Sequence, residues 1–194
     1  MSQYDATVVG ARCAGSTTAM LLARKGYRVL LVDRAEFPSD TMSTHILHPP
    51  GVAALKRWNL MQRLLDTGCP QISQYSFDVG PFAIRAPLLP SDGIAYSLCP
   101  RRTVLDKLLV DAAVEAGAEL REGCTVEDLL IDSGVVHGIR ARLKRDGATS
   151  AAQAQVVIGG GLGVEVVEVS TEFSANLPRA TRAPRCDHCH SGEA

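Results

Sequence analysis

The chain has 194 residues, enough for one domain with a substantial hydrophobic core. Its 20 basic and 21 acidic residues nearly cancel, to a formal net charge of −1, which argues against nucleic acid or an anionic membrane surface as a partner. No apolar run reaches the ~18 residues of a membrane-spanning helix, and the N-terminus MSQYDATVVG lacks the basic region and cleavage site of a secretory leader.

Residues 7–34, TVVGARCAGSTTAMLLARKGYRVLLVDR, carry the strongest pattern. Val8 and Val9 end an expected buried strand, and Gly10 to Gly15 form a glycine turn. Ser16 to Lys25 continue as helix, Gly26 stops it, and Arg28 to Asp33 supply a second apolar strand. This is a βαβ unit, whose first turn aims backbone N–H groups at a dinucleotide pyrophosphate. Asp33 follows at the spacing where the tip of the second strand accepts hydrogen bonds from an adenosine ribose. Arg12 departs from the fingerprint, which wants a second glycine there so that the backbone can approach the phosphates. Arg12 either spoils the turn or points its side chain outward and adds positive charge beside the pyrophosphate. The intact remainder of the unit favours tolerance.

Residues 35–50, AEFPSDTMSTHILHPP, read as a polar, proline-marked connection, and 51–65 as a helix containing Val52, Leu55, Leu60 and Leu64. Residues 75–98 alternate and turn, which predicts antiparallel strands. The best helical pattern spans 103–116, with Leu105, Leu108, Leu109, Ala112, Ala113 and Ala116 on one face. Thr103 and Asp106 have capping-box spacing, and Gly117 supplies a stop. Three strands follow, TVEDLLI, VVHGIRARL and AQAQVVIG, with turns at Asp132-Ser133-Gly134 and Asp146-Gly147. The last of them, Val156 to Ile158, is apolar enough to return to the buried parallel sheet. Cys13, Cys69, Cys99 and Cys124 are scattered singly, as in reduced intracellular proteins, so a cytoplasmic location is expected.

Three passages, VVGARCAGS with LLVDR, STHIL with PPGV, and CPRRTVLDKLLVDAA running into GAELREGCTVEDLL, together resemble a known family. They are similar to the FAD-binding domain of glutathione-reductase-like flavoproteins, in the group of p-hydroxybenzoate hydroxylase and the geranylgeranyl reductases. The resemblance covers roughly residues 4–159, and many similar bacterial members also carry an arginine at the place of Arg12. It implies an α/β, Rossmann-type fold: a parallel sheet with a β-meander, without the family's substrate domain. It also implies that Gly10, Arg12, Cys13, Ala14, Gly15 and Ser16 lie at the FAD pyrophosphate, with Asp33 and Arg34 at the adenosine ribose. Arg102 is expected at the phosphates or ribityl chain, Val126 at the adenine edge, Gly159 at the end of the returning strand, and Ser43, Thr44 and His45 near the flavin. FAD is the implied cofactor and NADPH or NADH the implied reductant, for oxygen activation or alkene reduction. No catalytic residue or substrate is assigned. Arg101 and Arg102 could instead be solvated charges, and His45, His48 and His137 read as ordinary histidines. Cys13 is expected to offer only its N–H, although a helix N-terminus lowers a thiol pKa.

After VVIG the family continues with Ala-Asp-Gly, whereas this chain has Gly159, Gly160 and Gly161. Residues 1–160 are therefore expected to form the FAD-binding domain, and 161–194 a divergent tail. Residues 178–194 contain no Val, Ile, Leu, Met, Phe, Tyr or Trp, which predicts disorder, and their composition suggests a reading-frame shift near 159. Cys186, Cys189 and His190 have partial zinc-ligand spacing but no second ligand pair, so no metal site is expected. Two other readings stay open. One is a non-catalytic nucleotide-binding fragment. The other is a small nicotinamide-dependent dehydrogenase, which fits residues 1–34 but lacks a Tyr-x-x-x-Lys pair.

Overall fold

The structure is a computed structural model that describes residues 3–160 and 167–169. It opens with β1 (Gln3–Val9), α1 (Cys13–Arg24) and β2 (Val29–Val32). β1 and β2 are parallel, with Ala6 opposite Val29 and Val9 opposite Val32, as the βαβ reading predicts. All four residues of β2 are buried, the signature of a parallel strand covered on both faces. α1 buries Gly15, Ser16, Ala19, Met20 and Ala23. These mostly small residues let the helix lie close to the sheet.

The connection from 33 to 48 has no regular element apart from an isolated bridge between Leu47 and Leu98. The single helix expected over 51–65 is divided into α2 (Pro49–Arg57) and α3 (Met61–Leu65). Asn59 breaks it by adopting a left-handed backbone, φ 62°, which asparagine tolerates better than most residues. Pro49 and Pro50, expected in the connection, begin α2, where a missing N–H removes no intrahelical bond. Next come β3 (Gln71–Ile72), β4 (Gln74–Asp78), β5 (Ala83–Pro87) and β6 (Ser97–Leu98). β3 pairs with β6 and β4 with β5, both antiparallel as the alternation predicts.

α4 (Arg102–Glu115) leads into β7 (Glu119–Arg121), a parallel neighbour of β2 that the sequence pattern did not single out. The meander is β8 (Cys124–Asp132), β9 (Val135–Leu143) and β10 (Thr149–Gly159), with β11 (Val167–Val169) antiparallel to the end of β10. The main sheet runs β7-β2-β1-β10-β9-β8. β10 is antiparallel to β9 at its start and parallel to β1 from Gln153 onward, with Val9 opposite Gly159. The apolar strand does return to the parallel sheet.

Alternation along β2 divides the core into two layers. Val8, Val29 and Leu31 join Met20, Leu55, Leu64, Leu105 and Leu109 beneath the helices. Tyr4, Leu30 and Val32 join Ile139, Ala152 and Val157 on the meander side. The expected capping box at the start of α4 does not form. Arg101 is the N-cap residue and no side chain caps the helix. Thr103 lies inside the first turn, and Asp106 is fully buried.

Candidate cofactor site

The glycine turn joins the carboxyl end of β1 to α1. Gly10 has φ 101°, a conformation that disfavours a side chain, and its N–H bonds the Val32 carbonyl at 2.7 Å. A Cβ on Gly15 would lie 1.7 Å from the Gly10 carbonyl oxygen, so this position must be glycine for helix and turn to meet. Gly160 closes the turn from the other side. Its N–H bonds the Val9 carbonyl at 2.7 Å, and a Cβ there would lie 2.7 Å from the Gly15 Cα.

Asp33 holds the turn in shape. Its carboxylate accepts the Ala11 N–H at 2.6 Å and the Ala35 N–H at 2.8 Å. Ser16 is also structural. Its hydroxyl donates to the Ala11 carbonyl at 2.7 Å, its N–H bonds the Arg12 carbonyl at 2.9 Å, and it is fully buried. Its polar groups therefore face the turn, whereas the resemblance implied a ligand-facing role. The first turn of α1 has neither a capping side chain nor an acidic residue. Its orphan N–H groups and the positive end of the helix dipole sit beside the half-buried Gly10 and Cys13 and the exposed Ala14.

Arg12 turns its guanidinium away from the turn. Nη1 donates to Asp106 at 2.6 Å, Nη2 donates to the Ser39 hydroxyl at 3.1 Å, and the group lies 5.5 Å from the centre of the Phe37 ring. Arg102 also grips Asp106, through Nε and Nη2, each at 3.0 Å. The Cys13 thiol points at the same carboxylate, 3.4 Å away. Burial and the negative charge of Asp106 push that thiol up to about 11, so the dipole does not make it reactive. Asp106 is thus the hub of the site, and sequence reasoning gave it the wrong role. The available signal was an acid between Leu105 and Leu108 on an apolar helix face, four residues after an arginine.

The remaining expected residues lie on other segments of the fold. Arg34 and Thr44 are exposed, and Gly159 ends β10 half-buried. Val126 is half-buried in β8, whose start is tied to the tip of β2 by a bond from the Cys124 N–H to the Asp33 carbonyl at 2.8 Å. A cleft lined by Asp40, Thr41, Met42, His45 and Arg101 opens beside the connection. His45 has φ 58°, and its Nδ1 is buried without a hydrogen-bond partner among the described residues. The Ser43 hydroxyl accepts the His45 N–H at 3.2 Å. Cys186, Cys189 and His190 lie outside the described residues, as does the tail from 161 apart from β11.

A diphosphate fits the turn: uncapped N–H groups, close glycine packing and nearby guanidinium charge favour an anion, the first turn of α1 carries no acid, and the carboxylates of Asp33 and Asp106 are engaged by the Ala11 N–H and the two arginines. The profile of a family described as an FAD binding domain matches residues 3–174. The chain belongs to that family. This FAD binding domain is 34% identical over 134 residues to a menaquinone reductase of Mycolicibacterium smegmatis, covering 68% of this chain and 32% of the relative. It is 30% identical over 160 residues to a digeranylgeranylglycerophospholipid reductase of Methanocella arvoryzae, covering 81% and 38%. Among solved structures, a myxobacterial FAD-dependent chondrochloren halogenase superposes with TM-score 0.77 at 24% identity, covering 85% of this chain and 39% of the other. A geranylgeranyl bacteriochlorophyll reductase-like protein of Thermoplasma acidophilum gives 0.69 at 21% identity, covering 82% and 39%. The likeness to the two structures shows the shared fold. The domain spans about a third of the length of these curated relatives. Among the described residues, no helix is long and apolar enough to cross a membrane.

Proposed function

We propose that this chain is the FAD-holding part of a flavin-dependent oxidoreductase of the reductase and monooxygenase kind, acting in the cytoplasm with NADPH or NADH as reductant. The carrying observation is the uncapped α1 N-terminus behind Gly10 and Gly15, braced by Asp33 and flanked by Arg12 and Arg102. Bound FAD would supply the electron transfer, and the protein would orient it and set its surroundings. The first-turn N–H groups of α1 would hold the diphosphate, while Asp33 keeps the turn open and has acceptor capacity left for a ribose hydroxyl. Arg34 and the Val126 main chain would lie toward the adenosine. Thr44 and His45, on the connection beside the cleft, would lie toward the flavin ring. The two reductases above, together with a squalene monooxygenase of Candida glabrata that is 30% identical over 118 residues, covering 57% of this chain and 23% of the relative, support redox chemistry of either kind.

Equilibrium dialysis of the purified chain against FAD and against NADH tests this reading. Retained yellow flavin, with ADP competing for it, is the expected result. A colourless protein that binds NADH and not FAD would overturn it.

A further inference from the structure

The first turns of α1 and α4 meet at one buried carboxylate. Asp106 is fully enclosed and accepts three guanidinium hydrogen bonds, one from Arg12 and two from Arg102, with the Cys13 thiol as a fourth donor. Two cations share one anion, so the cluster keeps a surplus positive charge. The thiol adds no negative charge, because its proton stays on at neutral pH. Arg12 is fixed at its far side as well, by Ser39 and Phe37. With its side chain anchored there, Arg12 keeps an extended backbone, φ −94°, at the place of the fingerprint's second glycine while its guanidinium stays clear of the turn.

We propose that Asp106 is a positioning residue for the phosphate turn, locking Arg12 and Arg102 into one clamp whose fixed geometry selects a diphosphate over a monophosphate. The assignment rests on the FAD reading and adds a residue to it. Without the carboxylate, two neighbouring guanidiniums repel each other, and Arg12 is free to swing into the space in front of α1. Charge alone makes the opposite prediction. Neutralising Asp106 raises the local positive charge, so a purely electrostatic site would bind anions more tightly.

The test uses the full chain, with ADP, AMP and FAD as probes, in Asp106→Asn and Arg12→Lys. Asp106→Asn is expected to weaken ADP binding about tenfold, the scale of one lost charge-assisted contact, and to narrow the preference for ADP over AMP. General loosening of the fold would lower both affinities together and leave their ratio unchanged. Arg12→Lys keeps the charge but loses the fork that spans Asp106 and Ser39, so it should also narrow the ratio. Unchanged or tighter ADP binding in Asp106→Asn, or an unchanged ratio, overturns the proposal and leaves the FAD reading standing. If circular dichroism shows that Asp106→Asn does not fold, Arg12→Lys decides: a parental ratio overturns the proposal and a narrowed one supports it. A parent chain that binds neither FAD nor ADP overturns both.

Discussion

The Asp33 carboxylate accepts the Ala11 N–H at 2.6 Å, so an acid at the tip of β2 braces a turn 22 residues earlier in the chain. Its second oxygen holds the Ala35 N–H at 2.8 Å, which fixes the departure of the connection. Strand tip, glycine turn and connection are therefore one hydrogen-bonded unit.

Asp33→Ala removes both bonds and leaves the N–H of fully buried Ala11 without a partner. An unsatisfied buried donor costs about 1–3 kcal/mol, so the urea midpoint should fall correspondingly, together with FAD affinity. A parental midpoint would show that the acid does not brace the turn.

Gly15→Ala sets a methyl group against the main-chain carbonyl of Gly10, where no flexible side chain can give way. Overpacking of this kind costs roughly 1–3 kcal/mol, and FAD binding should be lost with it. Gly26→Ala is the control. Gly26 has φ 85° with nothing near its missing Cβ, so it should lose about 1 kcal/mol and still bind FAD. Equal FAD affinity in the two variants would refute the close-approach account.

Cys13 gives the fold a defined alkaline sensitivity. Its thiol is raised from 9.0 to about 11 by burial and by Asp106. The unfolded chain thus loses this proton at lower pH than the folded one. The stabilisation is complete below pH 9.0 and is lost as pH rises through about 11. Denaturation midpoints at pH 8, 9.5 and 11 should fall more steeply in the parent than in Cys13→Ala. Parallel curves would contradict the buried, protonated thiol.

The β4–β5 ribbon exposes an apolar face. Phe77 and Ile84 stand opposite each other and are 64% and 55% exposed. The double variant Phe77→Ser, Ile84→Thr should bind less of a hydrophobic dye such as ANS and scatter less light at high concentration, while its stability stays within about 0.5 kcal/mol. Undiminished dye binding would place the sticky surface elsewhere.

Much of this architecture is legible in the residues alone. The βαβ unit, the long helix before the meander and the strand that returns beside β1 all follow from hydrophobic period and turn chemistry, which act over a few residues. Family resemblance adds FAD, because a distinctive order of such elements belongs to few domains. Single residues were harder to read. Asn59 divides an apolar run that looks continuous, since a left-handed residue leaves no mark in hydrophobic period. β7 is only three residues long, and it counts as a strand because β2 lies beside it. Asp106 has the spacing of a helix cap. Its partners Arg12 and Cys13 lie 94 and 93 residues away and reach it only once α1 packs on α4. Local sequence determined which segments are helix and strand, because backbone propensity and amphipathic period are short-range. Tertiary packing decided what the charged residues do, because a buried charge takes its role from whichever opposite charge the fold brings within hydrogen-bond reach.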